Sequence, residues 1–223
     1  MDAVIGDLLP LAVGIAISPV PIITVILMLL SDKAVAASTG FLLGWVAGVV
    51  AVTVVVLALV GQAVDTAEGE PSTLSSLLNL VFGALLILLG VRQWRGRPEA
   101  GEAVAMPKWM GAIESVGFGR ALGLGFLLSA LNPKNLLLCL GAGTAIGAAH
   151  LPTGQVAVAT AVFTVLASST VAVPVAGYLA ARDRMVGPLN RMRTWLTDNS
   201  TAMMAVLLLV IGTALLGKGI GGF

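Results

Sequence analysis

The chain is short of charge. Asp, Glu, Lys and Arg together make up 10% of its 223 residues, against about 25% in a soluble domain. That shortage excludes a disordered chain, a nucleic-acid binder and an ordinary cytosolic enzyme. Cysteine is nearly absent: Cys139 stands alone. No intramolecular disulfide can form, and a two-cysteine redox centre or thiolate zinc site is excluded. His150 is the one histidine, so no histidine pair exists for metal or triad chemistry. Neither an enzyme nor a resident cofactor or metal is expected.

Apolar side chains supply 58% of the chain, and 27 residues are glycine, a composition that suits closely packed membrane helices. A bilayer core of about 30 Å needs roughly 20 apolar residues per helix. Six runs of that kind fall near 8–30, 34–61, 74–92, 120–149, 154–181 and 201–220. The first is not read as a cleaved signal peptide, because its start is acidic (Asp2, Asp7) and its apolar stretch is too long. The fold class predicted is an all-α membrane protein of one transmembrane domain, residues 1–223. Its halves are 1–92 and 120–223, joined by a cytoplasmic linker over 93–119.

The basic residues give a direction. Arg92, Arg95, Arg97, Lys108 and Arg120 cluster before the fourth run. Arg182, Arg184, Arg191 and Arg193 cluster after the fifth, and Lys33 sits in the first turn. Six crossings put those three connections on one side, which the positive-inside rule makes cytoplasmic. The opposite side has Lys218 and the acidic loop of Asp65, Glu68 and Glu70. The expected location is the plasma (inner) membrane, with both termini extracytoplasmic. Two linker stretches, 107–118 and 188–197, each start at a proline and carry an apolar face. They read as short helices that lie in the headgroup layer or cap the bundle.

The halves resemble each other. Ser18-Pro19 matches Asn132-Pro133 and Thr39-Gly40 matches Thr153-Gly154, at one offset of 114 residues. Farther on, Phe82-Gly83-Ala84 matches Ile211-Gly212-Thr213 in a slipped register. Three runs per half is an odd number, so the halves must cross the membrane in opposite senses. Inverted repeats of this kind mark secondary transporters, with the site at the midplane.

Prolines interrupt the first run at Pro19 and Pro21 and the fourth at Pro133. Each lacks an N–H and frees a carbonyl four residues back: Ile15, Ile17 and Ser129 in turn. Two breaks in close succession are predicted in the first run and one in the fourth. Freed carbonyls in hydrocarbon cost several kcal/mol, so both segments must face protein or water. The half-helix starts bring positive ends towards the centre, which favours an anion. Lys134 is the only charged residue deep in a run, and no Asp or Glu lies within any run. Placing it there costs about 2.5–3.5 kcal/mol on the insertion scale. Three states are open to it: a neutral amine, a donor to freed carbonyls of the first run, or the holder of a substrate's anionic group. The lack of a membrane carboxylate also argues against a carboxylate proton relay. Candidate substrate-binding residues are Ser18, Pro19, Pro21, Asn132, Pro133, Lys134 and Asn135, with Thr164 and Ser168 of the fifth run as second choices. Gly40, Gly44 and Gly48, and Gly141, Gly143 and Gly147, read as packing seams.

The runs Ala16-Ile-Ser-Pro-Val-Pro-Ile-Ile-Thr-Val-Ile-Leu27, Leu128-Ser-Ala-Leu-Asn-Pro-Lys-Asn-Leu136, Gly141-Ala-Gly-Thr144 and Met204-Ala-Val-Leu-Leu-Leu-Val-Ile-Gly212 carry a resemblance. They are similar to the GAP family of sulfolipid- and glycopeptidolipid-addressing proteins, over essentially the full chain. That family belongs with the lysine-exporter superfamily, whose six-helix inverted-repeat fold includes cysteine–proline thiol transporters. Here Ser18 and Asn132 stand where those carry cysteine, so electron transfer does not carry over. The resemblance implies export or surface delivery of envelope glycolipids. The expected function is a transporter that exports an anionic envelope lipid or small amphiphile. The alternatives are a small-solute exporter for an amino acid or ion, and a non-transporting scaffold of a lipid-export machinery. The partners expected are membrane lipids, with an envelope-lipid export complex or a second copy of the chain as further candidates.

Overall fold

A computed structural model describes residues 1–64, 73–97, 113 and 115–221. The acidic loop and most of the expected 107–118 helix, including Trp109 and Met110, lie outside the described residues. Among those described, no strand occurs. Seven helices follow in order: α1 Asp2–Ala16, α2 Pro19–Leu29, α3 Ala34–Val64, α4 Thr73–Arg95, α5 Phe118–Ala130, α6 Pro133–Ala148 and α7 Thr153–Ile220. By length and apolar composition, Ala34–Leu59 and Thr153–Gly217 are long enough to cross a membrane. The count rises to 4 if each bent pair, α1 with α2 and α5 with α6, makes one crossing.

The first break follows from proline and one turn. α1 and α2 meet at a bend of 56°. Ile17 has φ −79° and ψ 47°, and the Ser18 N–H donates to the Ala16 carbonyl at 2.9 Å. That is an inverse γ-turn. It takes the Ser18 N–H away from Gly14, its acceptor in an unbroken helix. The sequence predicts two breaks here and the structure has one. Pro19 and Pro21 are the first and third residues of α2, where helix N–H groups lack intrahelical partners anyway, so Pro21 interrupts nothing.

The second break bends α5 against α6 by 66°. Asn132 is the N-cap of α6: its side-chain oxygen accepts from the Lys134 N–H at 3.0 Å, with Pro133 at the first helical position. α7 is interrupted once, at Ala181 (φ −151°, ψ 59°). This is the expected end of the fifth run. The expected linker over 182–200 is helical throughout, however, and Pro188 lies inside that helix rather than starting a new one. Met185, Leu189 and Met192 keep an apolar row at helical spacing through it, which favours continuing the helix over a loop.

The chain forms two compact units, and each draws on both halves of the sequence. The first contains α1, α2, α3, α5, α6 and α7 up to Thr194; the second contains α4 and α7 from Trp195. In the first, α2 is buried at every residue but Val20. A helix that is apolar all round belongs in an interior. Phe41 and Trp45 of α3 are buried with it and stack at 6.3 Å. α3 and α5 approach backbone to backbone. A Cβ on Gly44 would meet the Phe126 nitrogen at 2.9 Å, and one on Gly125 the Trp45 nitrogen at 2.8 Å. These glycines are packing seams, as is Gly143, whose Cβ would meet the Val56 Cβ at 2.8 Å.

In the second unit α4 meets the last part of α7 through glycine again. A Cβ on Gly83 would lie 2.9 Å from the Gly212 carbonyl oxygen, and one on Gly212 would lie 2.9 Å from the Gly83 carbonyl oxygen. In each unit many large apolar side chains are exposed, Val165 in the first and Leu88 in the second. A surface of this kind is at home in a lipid environment and not in water.

Candidate functional site

The end of α1 collects side chains from two distant elements. The γ-turn at Ile17 leaves the Gly14 and Ala16 carbonyls without helical partners. Lys134, 3% exposed, reaches across from the first turn of α6 and donates its Nζ to the Gly14 carbonyl at 2.7 Å. Thr170 of α7 donates its hydroxyl to the Ala16 carbonyl at 2.6 Å. Of the three roles open to Lys134, the structure shows the donor to a freed carbonyl, a bond that the amine makes in either charge state. The acceptor is Gly14 rather than Ile15 or Ile17, because the turn, and not only the prolines, decides which carbonyl is released. The Lys134 amine lies at the negative end of α1, where the charged form is favoured. Among the described residues no carboxylate pairs with it.

The neighbouring residues are placed as follows. Ser18 is the buried N-cap residue of α2, without a side-chain capping bond. Pro19 and Pro21 are buried in that helix's first turn, where only Val20 of the first three residues carries an N–H. Asn132 caps α6, and Pro133 is exposed. Asn135 is fully buried and donates its Nδ2 to the Ser129 carbonyl at 3.3 Å, the group that Pro133 releases, and to Leu128 at 3.4 Å. Among the described residues its Oδ1 has no hydrogen-bond partner, and the same holds for the buried Ser168 Oγ and Trp45 Nε1. An orphaned buried polar atom costs about 1–3 kcal/mol, so each marks a place suited to a further polar group.

Thr164 is a poorer candidate: its hydroxyl donates to the Thr160 carbonyl at 2.8 Å. It lines a groove of about 790 Å³ between α3 and α7, walled mostly by valine and alanine. A second space, about 320 Å³, sits at the Ala181 break. Thr170 lines it, as do Val173, Pro174, Met185, Leu189 and Met192. The sequence marks Thr170, with Ser169, as a polar residue of the fifth run whose hydroxyl bonds its own backbone or a neighbouring helix, and leaves it out of the candidate site. The bond found is to a neighbouring helix. The structure makes it the second anchor of α1.

These features together describe an all-helical membrane protein, with two broken helix pairs and a buried lysine bridging from one pair to the other. Residues 8–221 match the family model SfLAP, described as Sap, sulfolipid-1-addressing protein, and the chain belongs to that family. The resemblance read from the sequence motifs therefore holds over nearly the whole chain. Comparison with curated proteins and with solved structures found no match.

Proposed function

We propose that this chain is a six-span carrier of the inner membrane that moves an anionic envelope lipid or small amphiphile outward. The observation that carries this reading is the buried Lys134 ammonium. It spans from one broken helix pair to the other and, among the described residues, is neutralised by no carboxylate. In the resting state it rests on the Gly14 carbonyl. An anionic headgroup is a stronger acceptor than a neutral carbonyl, because charge-assisted hydrogen bonds are roughly twice as strong. Capture of the headgroup releases the end of α1 from α6. Substrate binding thereby loosens one broken helix against the other, the movement that alternating access requires. Asn135 Oδ1 and Ser168 Oγ offer further contacts, to a hydroxyl of the substrate or to water.

Three observations support the rest. The family is named for the addressing of a sulfolipid, an anionic lipid. The groove between α3 and α7 has apolar walls, which suits an acyl chain better than a polar solute. The reciprocal approach of Gly83 and Gly212, each to the other's carbonyl oxygen, fits a two-fold relation between the halves. In a two-fold contact, residue i touches j and j touches i. The six crossings then comprise the two bent pairs, α3, α4 and the two arms of α7, with both termini outside. No catalytic chemistry or cofactor is assigned.

The test is surface delivery in cells. Lys134→Met, inserted at the normal level, is expected to lower the surface appearance of a labelled anionic envelope lipid by about tenfold or more, the worth of a charged hydrogen bond. Undiminished delivery overturns the reading.

A further inference from the structure

The break at Ala181 makes a space that the transport reading does not use. α7 residues Ser169, Thr170, Val173 and Pro174 precede the break and Met185, Pro188, Leu189 and Met192 follow it, and both sets line one cavity of about 320 Å³. Its walls are almost wholly apolar. The two hydroxyls that reach it are spent. Ser169 donates to the Leu166 carbonyl at 2.7 Å and Thr170 to the Ala16 carbonyl at 2.6 Å. A polar solute would find no free donor there, so an apolar occupant is favoured. The two methionines suit a flexible chain of variable shape.

Charge says what the other end of that occupant carries. On the helix after the break, Met185, Pro188, Leu189 and Met192 form one row. At about 100° per residue, Arg184 and Arg191 flank the row on one side and Arg182 and Arg193 on the other. Arg182 is already engaged, its guanidinium 5.5 Å over the Tyr178 ring. Arg184 and Arg191 are exposed, and among the described residues neither is held in an ion pair. An apolar space bordered by free guanidinium groups matches a molecule with an alkyl chain and an anionic head.

We propose that this cavity takes an acyl chain of an anionic membrane lipid, with its phosphate or sulfate headgroup on Arg184 and Arg191. As the place where cargo is loaded, it rests on the transporter reading. Thr170 lines the cavity and also anchors α1, so the loading site adjoins the Lys134 contact through a single residue.

The test uses the full-length protein in nanodiscs of phosphatidylcholine doped with pyrene-labelled lipid. Pyrenyl-phosphatidylglycerol is expected to bind in preference to pyrenyl-phosphatidylcholine. Arg184→Gln combined with Arg191→Gln is expected to cut that preference by roughly thirtyfold, at about fivefold per basic residue near the surface. Raising the salt should erode the preference. Met185→Trp, which fills the cavity, is expected to lower binding of both lipids. Met192→Ala, which enlarges the space, keeps the test informative if Met185→Trp fails to fold, and is expected to change binding of both. Equal binding of the two lipids, or a preference untouched by the double arginine variant, overturns the proposal. Lys134→Met separates it from the transport reading. That variant should retain lipid binding at the arginines while it loses transport, so either idea can fail without the other.

Discussion

Gly125 and Gly123 lie two positions apart on α5 and face opposite fates. A Cβ on Gly125 would press on the Phe41 carbonyl carbon at 3.0 Å and the Trp45 nitrogen at 2.8 Å, whereas nothing lies within 4 Å of one on Gly123. Backbone cannot yield as a side-chain tip can. Gly125→Ala is therefore expected to destabilise by about 1–3 kcal/mol. Gly123→Ala should be neutral or stabilise by up to about 1 kcal/mol, since alanine loses less entropy in a helix. Thermal unfolding midpoints in one detergent check both signs. At this scale Lys134 was legible, because a charge stranded in an apolar run stands out. Thr170 was not. Thr160, Thr164 and Ser169 return their hydroxyls to their own helix, as membrane hydroxyls commonly do. Nothing in the sequence marks Thr170 as the one that reaches α1.

The broken pairs differ in how their second halves begin. Asn132 caps α6 through its side chain, while Ser18 makes no such bond to α2. Asn132→Ala is expected to cost about 1 kcal/mol. Ser18→Ala should cost clearly less, and the same unfolding measurement compares them. Both break positions were readable from Ser18-Pro19 and Asn132-Pro133. That Pro21 breaks nothing was not. Once Pro19 opens a new helix, Pro21 falls in a first turn that has no bond to lose. The stop at Ala181 was legible from Arg182 and its neighbours. A helix over 188–197 was legible from its apolar face, but its start was not: the helix resumes right after Ala181, and Pro188 lies inside it instead of opening it.

Over the whole molecule, the proposed internal repeat makes the strongest demands. Gly83→Ala and Gly212→Ala press on one shared contact from its two sides. Each alone should lower stability by a similar amount. The double variant should fall short of their sum, because residues in contact do not add. The proposed six crossings would also put both termini on one face. Single cysteines at the two ends, in a Cys139→Ser background, should both react with a membrane-impermeant maleimide added outside intact cells. Labelling of one end only contradicts the six-crossing count. The all-helical class followed from hydrophobic length, as did the approximate limits of α3 and α4; the start of the sixth run near 201 has no counterpart, because the helix is continuous there. The division into two units did not: the sequence pairs Gly83 with Gly212 as repeat positions, but nothing local says that their helices pack on each other.

The central claim is that Lys134 handles an anionic lipid in transit. It is tested most directly by reconstituting the purified chain in liposomes and following a labelled anionic lipid from one leaflet to the other. The account predicts that wild-type protein moves the anionic lipid faster than a zwitterionic one. It predicts that Lys134→Met slows that movement by about tenfold or more while the protein stays folded. A wild-type protein that moves neither lipid, or a folded Lys134→Met that moves the anionic lipid at the wild-type rate, would contradict it.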